Sequence, residues 1–209
     1  MAKYTDSKCS LCRREGEKLF LKGERCHSAK CAYERRSYAP GQHGTRSGAR
    51  KSDYAIHLRE KQKIRRIYNM TERPFRKAYK NASHAKGNTG AILLQNLESR
   101  LDQIVYKIGL GASSSEARQL IRHNGILVNG KRVNIPSYRV KAGDIIEPTA
   151  NAKEQLRVKA AFAAQETRDF PEWISVNSSA MSGTIKNLPE RDQISGTLNE
   201  ALVIELYSK

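Results

Sequence analysis

Apolar positions recur at helical spacing from residue 52 onward. In DYAIHLREKQKIRRIYNM, Tyr54, Leu58, Ile64 and Ile67 fall near a 3.6-residue period behind Ser52, a residue suited to an N-cap. A second helix is expected from Thr71, its cap, through ERPFRKAYKNASHAK to Gly87, since proline is tolerated in a first turn and Pro74 stands there. A third begins after Thr89 and gathers Ile92, Leu93, Leu97, Leu101, Ile104, Val105 and Ile108 into one stripe, which reads as core. Ser113 to Glu116 fits a capping box in front of ARQLIRH, and Asn124-Gly125 supplies a left-handed stop. ILVNGKRV then carries Asn129-Gly130, a strong hairpin signal, and a turn at Ala142-Gly143-Asp144 leads to an apolar strand at Ile145-Ile146. Farther on, LRVKAAFAAQ reads as an alanine-rich helix, EWISV as a strand around a core Trp173, and GTIKNLP as a short strand. For ALVIELYSK the β-branched run argues strand, whereas Asn199-Glu200 argues a helix start; both stay open from Ala201 to Tyr207.

Within this pattern residues 97–147 form a complete small unit: helix, helix, hairpin, strand. Arg118 and Arg122 stand four residues apart, so a helix projects both from one face while Ala117, Leu120 and Ile121 turn inward. Lys131 and Arg132 sit at or just past the hairpin tip, which would place four cations on one convex surface. Composition says what such a surface meets. The 38 Lys+Arg against 21 Asp+Glu give a formal net charge of +17, the footprint of a protein that neutralises a polyanion. The excess is uneven, with 22 basic and 8 acidic residues in 1–80 but 16 and 13 in 81–209. A membrane is not the expected polyanion, because no apolar run approaches the ~18 residues of a spanning helix and no signal-peptide core opens the sequence.

All four cysteines lie within the first 31 residues, as C-x2-C, thirteen residues, then C-x4-C. Cys9, Cys12, Cys26 and Cys31 can therefore converge tetrahedrally on one soft ion, and one structural Zn(II) is the expected occupant. An iron–sulfur cluster also fits four cysteines, and unbound thiols or disulfides are the plainer readings. The segment 13–25 is polar and is expected to have little core of its own, so that metal binding supplies its folding energy. A basic arm surrounds and follows the cysteines, with Arg13, Arg14, Arg35 and Arg36, then Tyr38, Gln42, His43, Arg50 and Lys51 in a glycine-rich stretch expected to lie extended over a partner. Aromatic, amide and imidazole groups among the cations suit folded RNA. On the first helix Lys61, Lys63, Arg65 and Arg66 face only Asp53 and Glu60 as local acids, which favours phosphate contact over a merely solvated face.

The cysteine arm, the PGQHG loop, YAIHLREKQKIRRIY, LESRLDQIVYKIG, SEARQLIRH, VNGKRVNIPSYRVKAGD and ALVIELYSK together resemble the bacterial S-four family of small-subunit ribosomal proteins, in its four-cysteine, zinc-bearing form. The resemblance implies an α+β protein: a mostly helical domain with an N-terminal metal-bound arm, plus an inserted small α/β RNA-binding module with an antiparallel sheet. The expected divisions are an arm at 1–45, a helical domain at 46–96 completed by about 190–209, and a module with its sheet extension at 97–189, core 98–147. It implies a cytoplasmic protein of the small ribosomal subunit that binds 16S ribosomal RNA, nucleates assembly of the subunit body and influences decoding accuracy. It further implies contact with the neighbouring protein S-five and, in some bacteria, repression of its own operon through mRNA. In the module Arg118, Arg122, His123, Lys131, Arg132 and Tyr138 match the family pattern. Ser114 and Ser115 depart from it where many relatives carry basic residues, and Asn124-Gly125 replaces a histidine-containing turn. No nucleophile stands beside any of the five histidines and no phosphate-cradling glycine loop is present, so no enzyme and no small-molecule substrate are expected. The competing class is a zinc-dependent DNA- or RNA-binding regulator outside the ribosome.

Overall fold

The computed structural model describes residues 4–46, 50–166, 170–194 and 197–208. In chain order its helices are α1 (Lys8–Glu15), α2 (Ala32–Arg35), α3 (Asp53–Ile67), α4 (Glu72–Ser83), α5 (Thr89–Glu98), α6 (Leu101–Ile108), α7 (Ser114–Arg122), α8 (Ala150–Lys153), α9 (Leu156–Glu166) and α10 (Glu200–Ser208). The strands are β1 (Ile126–Val128), β2 (Lys131–Arg132), β3 (Ile145–Pro148), β4 (Ile174–Asn177) and β5 (Ser182–Ile185). Two compact units result, one of residues 1–90 with 196–209 and one of residues 91–195, so the division falls inside α5 and not at 96/97.

In the discontinuous unit the open question about the tail is settled as helix: α10 packs on α3 and α4. Val203 is buried, the Tyr207 ring stacks on Tyr79 at 4.6 Å, and the Tyr207 hydroxyl donates to Glu72 Oε1 at 2.8 Å. The Asn199 backbone N–H donates to Glu60 and Lys63 Nζ to the Thr197 carbonyl, which fixes the start of α10 against α3. Ser52 caps α3 as expected, accepting from the Ala55 N–H, whereas Thr71 stands before α4 without a side-chain cap bond. The arm differs from expectation. Segment 13–25 is not coreless: Leu19 and Leu21 bury with Leu11 and Cys12, and Tyr4, Tyr33 and Ile67 pack around them. Glu15, its side chain 2% exposed, accepts from Arg66 and faces Arg59 at 3.6 Å, which ties the arm to α3.

The contiguous unit packs α6, α7, α8 and α9 on one face of an antiparallel sheet of order β2-β1-β3-β5-β4. Alternation sets the faces: Ile126, Val128, Ile146, Ile174 and Ile185 turn into the core with Leu101, Ile104, Ile108, Leu120, Phe162 and Trp173. Gly183 is a close-approach position, since a Cβ there would come within 2.5 Å of Ile108 Cδ1 and force that side chain to shift. The expected single helix through residues 92–108 is broken in two at Ser99-Arg100. Tertiary pairing overrides the stripe: the Leu101 N–H donates to the Tyr138 carbonyl and the Val140 N–H to the Ser99 carbonyl, both at 2.9 Å, with Arg100 bridged to Arg139. Trp173 is core as expected, at 1% exposure.

Candidate nucleic-acid interface

The hairpin tip is built by its turn residues. Asn129 and Gly130 both take positive φ, 51° and 75°, the pair of left-handed positions a type I′ turn needs. Asn129 also braces the loop, donating from Nδ2 to Asp144 Oδ1 at 2.8 Å and accepting the Ile145 N–H at 2.9 Å. Register Val128↔Lys131 and Leu127↔Arg132 then presents Lys131 and Arg132, both exposed and without an ion pair among the described residues. Tyr138 is 39% exposed, with exposed Arg139 beside it.

The expected paired face of α7 does not form. Ser113 accepts the Glu116 N–H as a cap, but Glu116 reaches back to the Ala112 N–H, one residue before the cap, so the capping box is offset. Asn124 takes φ of 57° and ends the helix, leaving Arg122 and His123 exposed. Arg118 turns inward instead. Its Nη1 lies 3.5 Å from Asp102 Oδ2, and Arg100 grips the same carboxylate with two bonds of 3.0 and 2.6 Å. Asp102 is fully buried; burial pushes its carboxyl upward while Arg100 and Arg118 pull it back. Burial likewise lowers the Arg118 guanidinium, which Asp102 opposes. Arg118 is thus an internal brace and not a surface cation. The residue reaching it, Asp102, lies 16 positions away, beyond any local pattern.

The cations of α3 are also spoken for within the fold. Lys61 is buried and bonds Glu72 at 2.9 Å, Lys63 meets Glu17 at 2.9 Å, Arg65 lies 3.8 Å from Glu72, and Arg66 pairs with Glu15. Burial would raise the Glu72 carboxyl, but bonds from Lys61 and Tyr207 and the charges of Lys61 and Arg65 outweigh it and hold it below the usual carboxylate range. The run that reads as a phosphate face therefore serves to hold the arm and α10, because carboxylates distant in sequence reach it.

Arg13 and Arg14 are used similarly. Arg13 donates to the Tyr38 and Ala39 carbonyls and lies over the Tyr38 ring at 5.0 Å, and Arg14 donates to the Pro40 carbonyl. These bonds fold PGQHG back onto α1, correcting the expected extended arm. Gly44 is required there, since a Cβ would run into the Ala39 carbonyl. Gln42, His43, Arg50 and Lys51 remain exposed, and residues 47–49 lie outside the described residues. Arg35 and Arg36 are exposed and border a cleft of about 300 Å³ with Ser7, Cys9, Ser10 and Arg13.

Cys9, Cys12, Cys26 and Cys31 are the candidate metal ligands. All four are free thiols and three are buried. Burial pushes the Cys12 thiol up, the Leu19 backbone opposes this, and the charges of Cys26, Cys9 and Cys31 push it further. The donor set fits zinc in kind. Among the described residues, however, no group of three or more His, Cys, Asp or Glu stands close enough to hold a metal ion, so the arm is not seen as a closed metal site.

Cations on α4 complete the inventory. Arg73, Arg76, Lys77 and Lys80 are exposed and were not among the expected contacts, although a local signal marks them: no acidic residue occurs between Glu72 and Glu98.

Residues 3–98 match the family model described as Ribosomal protein S4/S9 N-terminal domain, and residues 99–146 match that of the S4 domain. The chain is 62% identical over 209 residues, all of both chains, to small ribosomal subunit protein uS4 of Dechloromonas aromatica, and equally so to that of Nitrosospira multiformis. It is 53% identical, again over all of both chains, to the uS4 protein of Magnetococcus marinus. With full coverage at such identity, the chain belongs to the small ribosomal subunit protein uS4 family.

Proposed function

We propose that this protein binds 16S ribosomal RNA directly as a structural constituent of the small ribosomal subunit, and that it acts early, nucleating the fold of the subunit body. It is a ribosomal protein and not an enzyme. The observation that carries the RNA reading is similarity along the whole length of the chain to small-subunit proteins, in both units alike. The chemistry agrees with it: exposed Lys131, Arg132, Arg122, Arg35, Arg36, Arg50 and Lys51 can neutralise phosphates, while Tyr138 and His43 offer surfaces for unpaired bases. Contact with S-five, an influence on decoding accuracy and repression through mRNA are finer parts of the same proposal. Footprinting of the purified protein on 16S ribosomal RNA tests it. Protection should fall on a folded junction and survive duplex DNA competitor, and equal affinity for random DNA at physiological salt would favour the extra-ribosomal regulator instead.

The proposal extends to one Zn(II) held by Cys9, Cys12, Cys26 and Cys31, supported by four cysteines outside any disulfide at the spacing C-x2-C, thirteen residues, C-x4-C. The ion supplies a closed tetrathiolate crosslink, to which the four side chains must draw in. Metal analysis is expected to give one zinc per chain. Chelation should raise hydrogen exchange across α1 and α2 and spare residues 91–194, because the small core around Leu19 and the Glu15–Arg66 pair tether the arm without metal. Absence of stoichiometric zinc together with unchanged exchange would refute the site.

A further inference from the structure

We propose that Cys9 and Cys12 form a thiol switch, in which a hydroperoxide oxidises Cys9 and Cys12 then closes a disulfide onto it within α1. The oxidation rests on these two sulfurs alone; its effect on metal rests on the zinc reading above.

The four cysteines are chemically alike but differently placed. Cys12, Cys26 and Cys31 are buried, and the Cys26 sulfur accepts the Lys22 N–H at 3.4 Å. Cys9 is only partly covered and lines the cleft of about 300 Å³, with Ser7 and Ser10 beside it and Arg35 and Arg36 from the segment of α2. A small oxidant entering that cleft therefore meets one sulfur ahead of the other three. The cleft also suits the reaction. As the O–O bond of a peroxide breaks, the departing oxygen takes up negative charge, which guanidinium and hydroxyl donors stabilise. Partly open, electropositive settings of this kind make a cysteine reactive, whereas buried structural cysteines are inert.

The second sulfur stands one turn along, since Cys9 and Cys12 both belong to α1. Helix positions three apart set their Cβ atoms about 5 to 6 Å from each other, and a disulfide needs about 3.5 to 4.5 Å. The first turn of α1 is free to tighten by that difference. Ser7 makes no side-chain cap bond, and the Ser10 N–H reaches the Ser7 carbonyl at 3.3 Å, a spacing of the tighter 3₁₀ kind. Cys26 and Cys31 share no helix: one ends a 3₁₀ turn, Gly23–Cys26, and the other precedes α2.

In the first step the Cys9 sulfur attacks one peroxide oxygen and the O–O bond breaks. The other oxygen leaves with the thiol proton as water or an alcohol, and Cys9 becomes a sulfenic acid. The Cys12 sulfur then attacks the Cys9 sulfur, an S–S bond forms, and the S–O bond breaks to release water with the Cys12 proton. The two electrons lost by the sulfur pair are those the peroxide gains. Because the bridge stays within α1, Leu11 keeps its place with Leu19 and Leu21, and Glu15 its pair with Arg66. The arm stays docked but loses Cys9 and Cys12 as ligands, which releases the metal.

The test exposes the reduced full-length protein, with and without one equivalent of zinc, to hydrogen peroxide. Surviving thiols are blocked with N-ethylmaleimide and each cysteine is read by peptide mass spectrometry. Cys9 and Cys12 are expected to disappear together into one disulfide that dithiothreitol reverses, while Cys26 and Cys31 remain alkylated. In Cys9→Ser the Cys12 thiol should stay reduced, and in Cys12→Ser the Cys9 sulfenic acid should persist and be trapped by dimedone. First loss at Cys26 or Cys31, equal loss at all four, or unchanged Cys12 oxidation in Cys9→Ser would overturn the switch. The order of loss in the unmodified protein decides even where a variant folds poorly. Zinc set free in step with the disulfide supports the coupling to metal. A protein that takes up no zinc yet oxidises in this order would refute the zinc reading and keep the switch, and one that holds zinc but resists peroxide with and without it would do the reverse.

Discussion

Raising monovalent salt from 50 to 200 mM is expected to weaken binding of this protein to 16S ribosomal RNA by a factor on the order of 10³ to 10⁵. That range corresponds to roughly six to ten phosphates neutralised at once, each releasing condensed counterions. The size of the effect follows from which cations are free, and not from the formal +17. Arg35, Arg36, Arg50, Lys51, Arg122, Lys131 and Arg132 are exposed, whereas Lys61, Arg66 and Arg118 are matched to carboxylates and would release few counterions. Filter binding over stepped potassium chloride measures the slope. A slope corresponding to one or two contacts would mean that binding rests on bases and shape, and the cationic surfaces would lose their assigned role.

Replacing Asp102 by alanine should destabilise the contiguous unit by about 3 to 5 kcal/mol, because it leaves buried guanidinium groups without their counter-charge. Arg100 and Arg118 are 8% and 6% exposed and converge on this one carboxylate, so neither can turn to water without opening the packing of α6 against α7. The melting transition should fall by about 10 to 20 °C. Arg122→Ala, on the same helix as Arg118 but exposed, should change stability by no more than about 0.5 kcal/mol. Equal small effects of Asp102→Ala and Arg122→Ala would show that Arg118 faces solvent after all. If instead Arg118→Ala lowers stability sharply and Arg122→Ala lowers RNA affinity, the two arginines divide as structure and contact.

Local chemistry was legible in the sequence wherever a residue type dictates its own backbone. Ser52 caps α3, Asn129-Gly130 makes its turn, Asn124 stops α7, and the apolar pair Ile145-Ile146 after its turn finds its strand. Full-length motifs carried the family as well. What the sequence could not show was the destination of each charge. Glu15 reaches Arg66 across 51 residues and Tyr207 reaches Glu72 across 135, so a lysine-arginine run on α3 looks the same whether carboxylates or phosphates meet it. The break at Ser99-Arg100 was hidden for the same reason, since the strand-like segment near Tyr138 that claims those backbone groups lies some forty positions downstream. Conversely the cationic face of α4 is marked within the sequence itself by the absence of acids from 73 to 97.

The return of α10 to α3 has a consequence in time. A chain is made from its first residue onward, and Glu60, Lys63 and Glu72 emerge long before Thr197, Asn199 and Tyr207, the groups that complete them. Between them lie residues 91–195, whose synthesis at about 5 to 20 residues per second takes on the order of 5 to 20 s. The unit begun second is therefore the first able to close. During that interval Tyr79 and Phe75 lack the aromatic ring that later covers them, and the half-made unit keeps apolar surface uncovered until the final helix arrives.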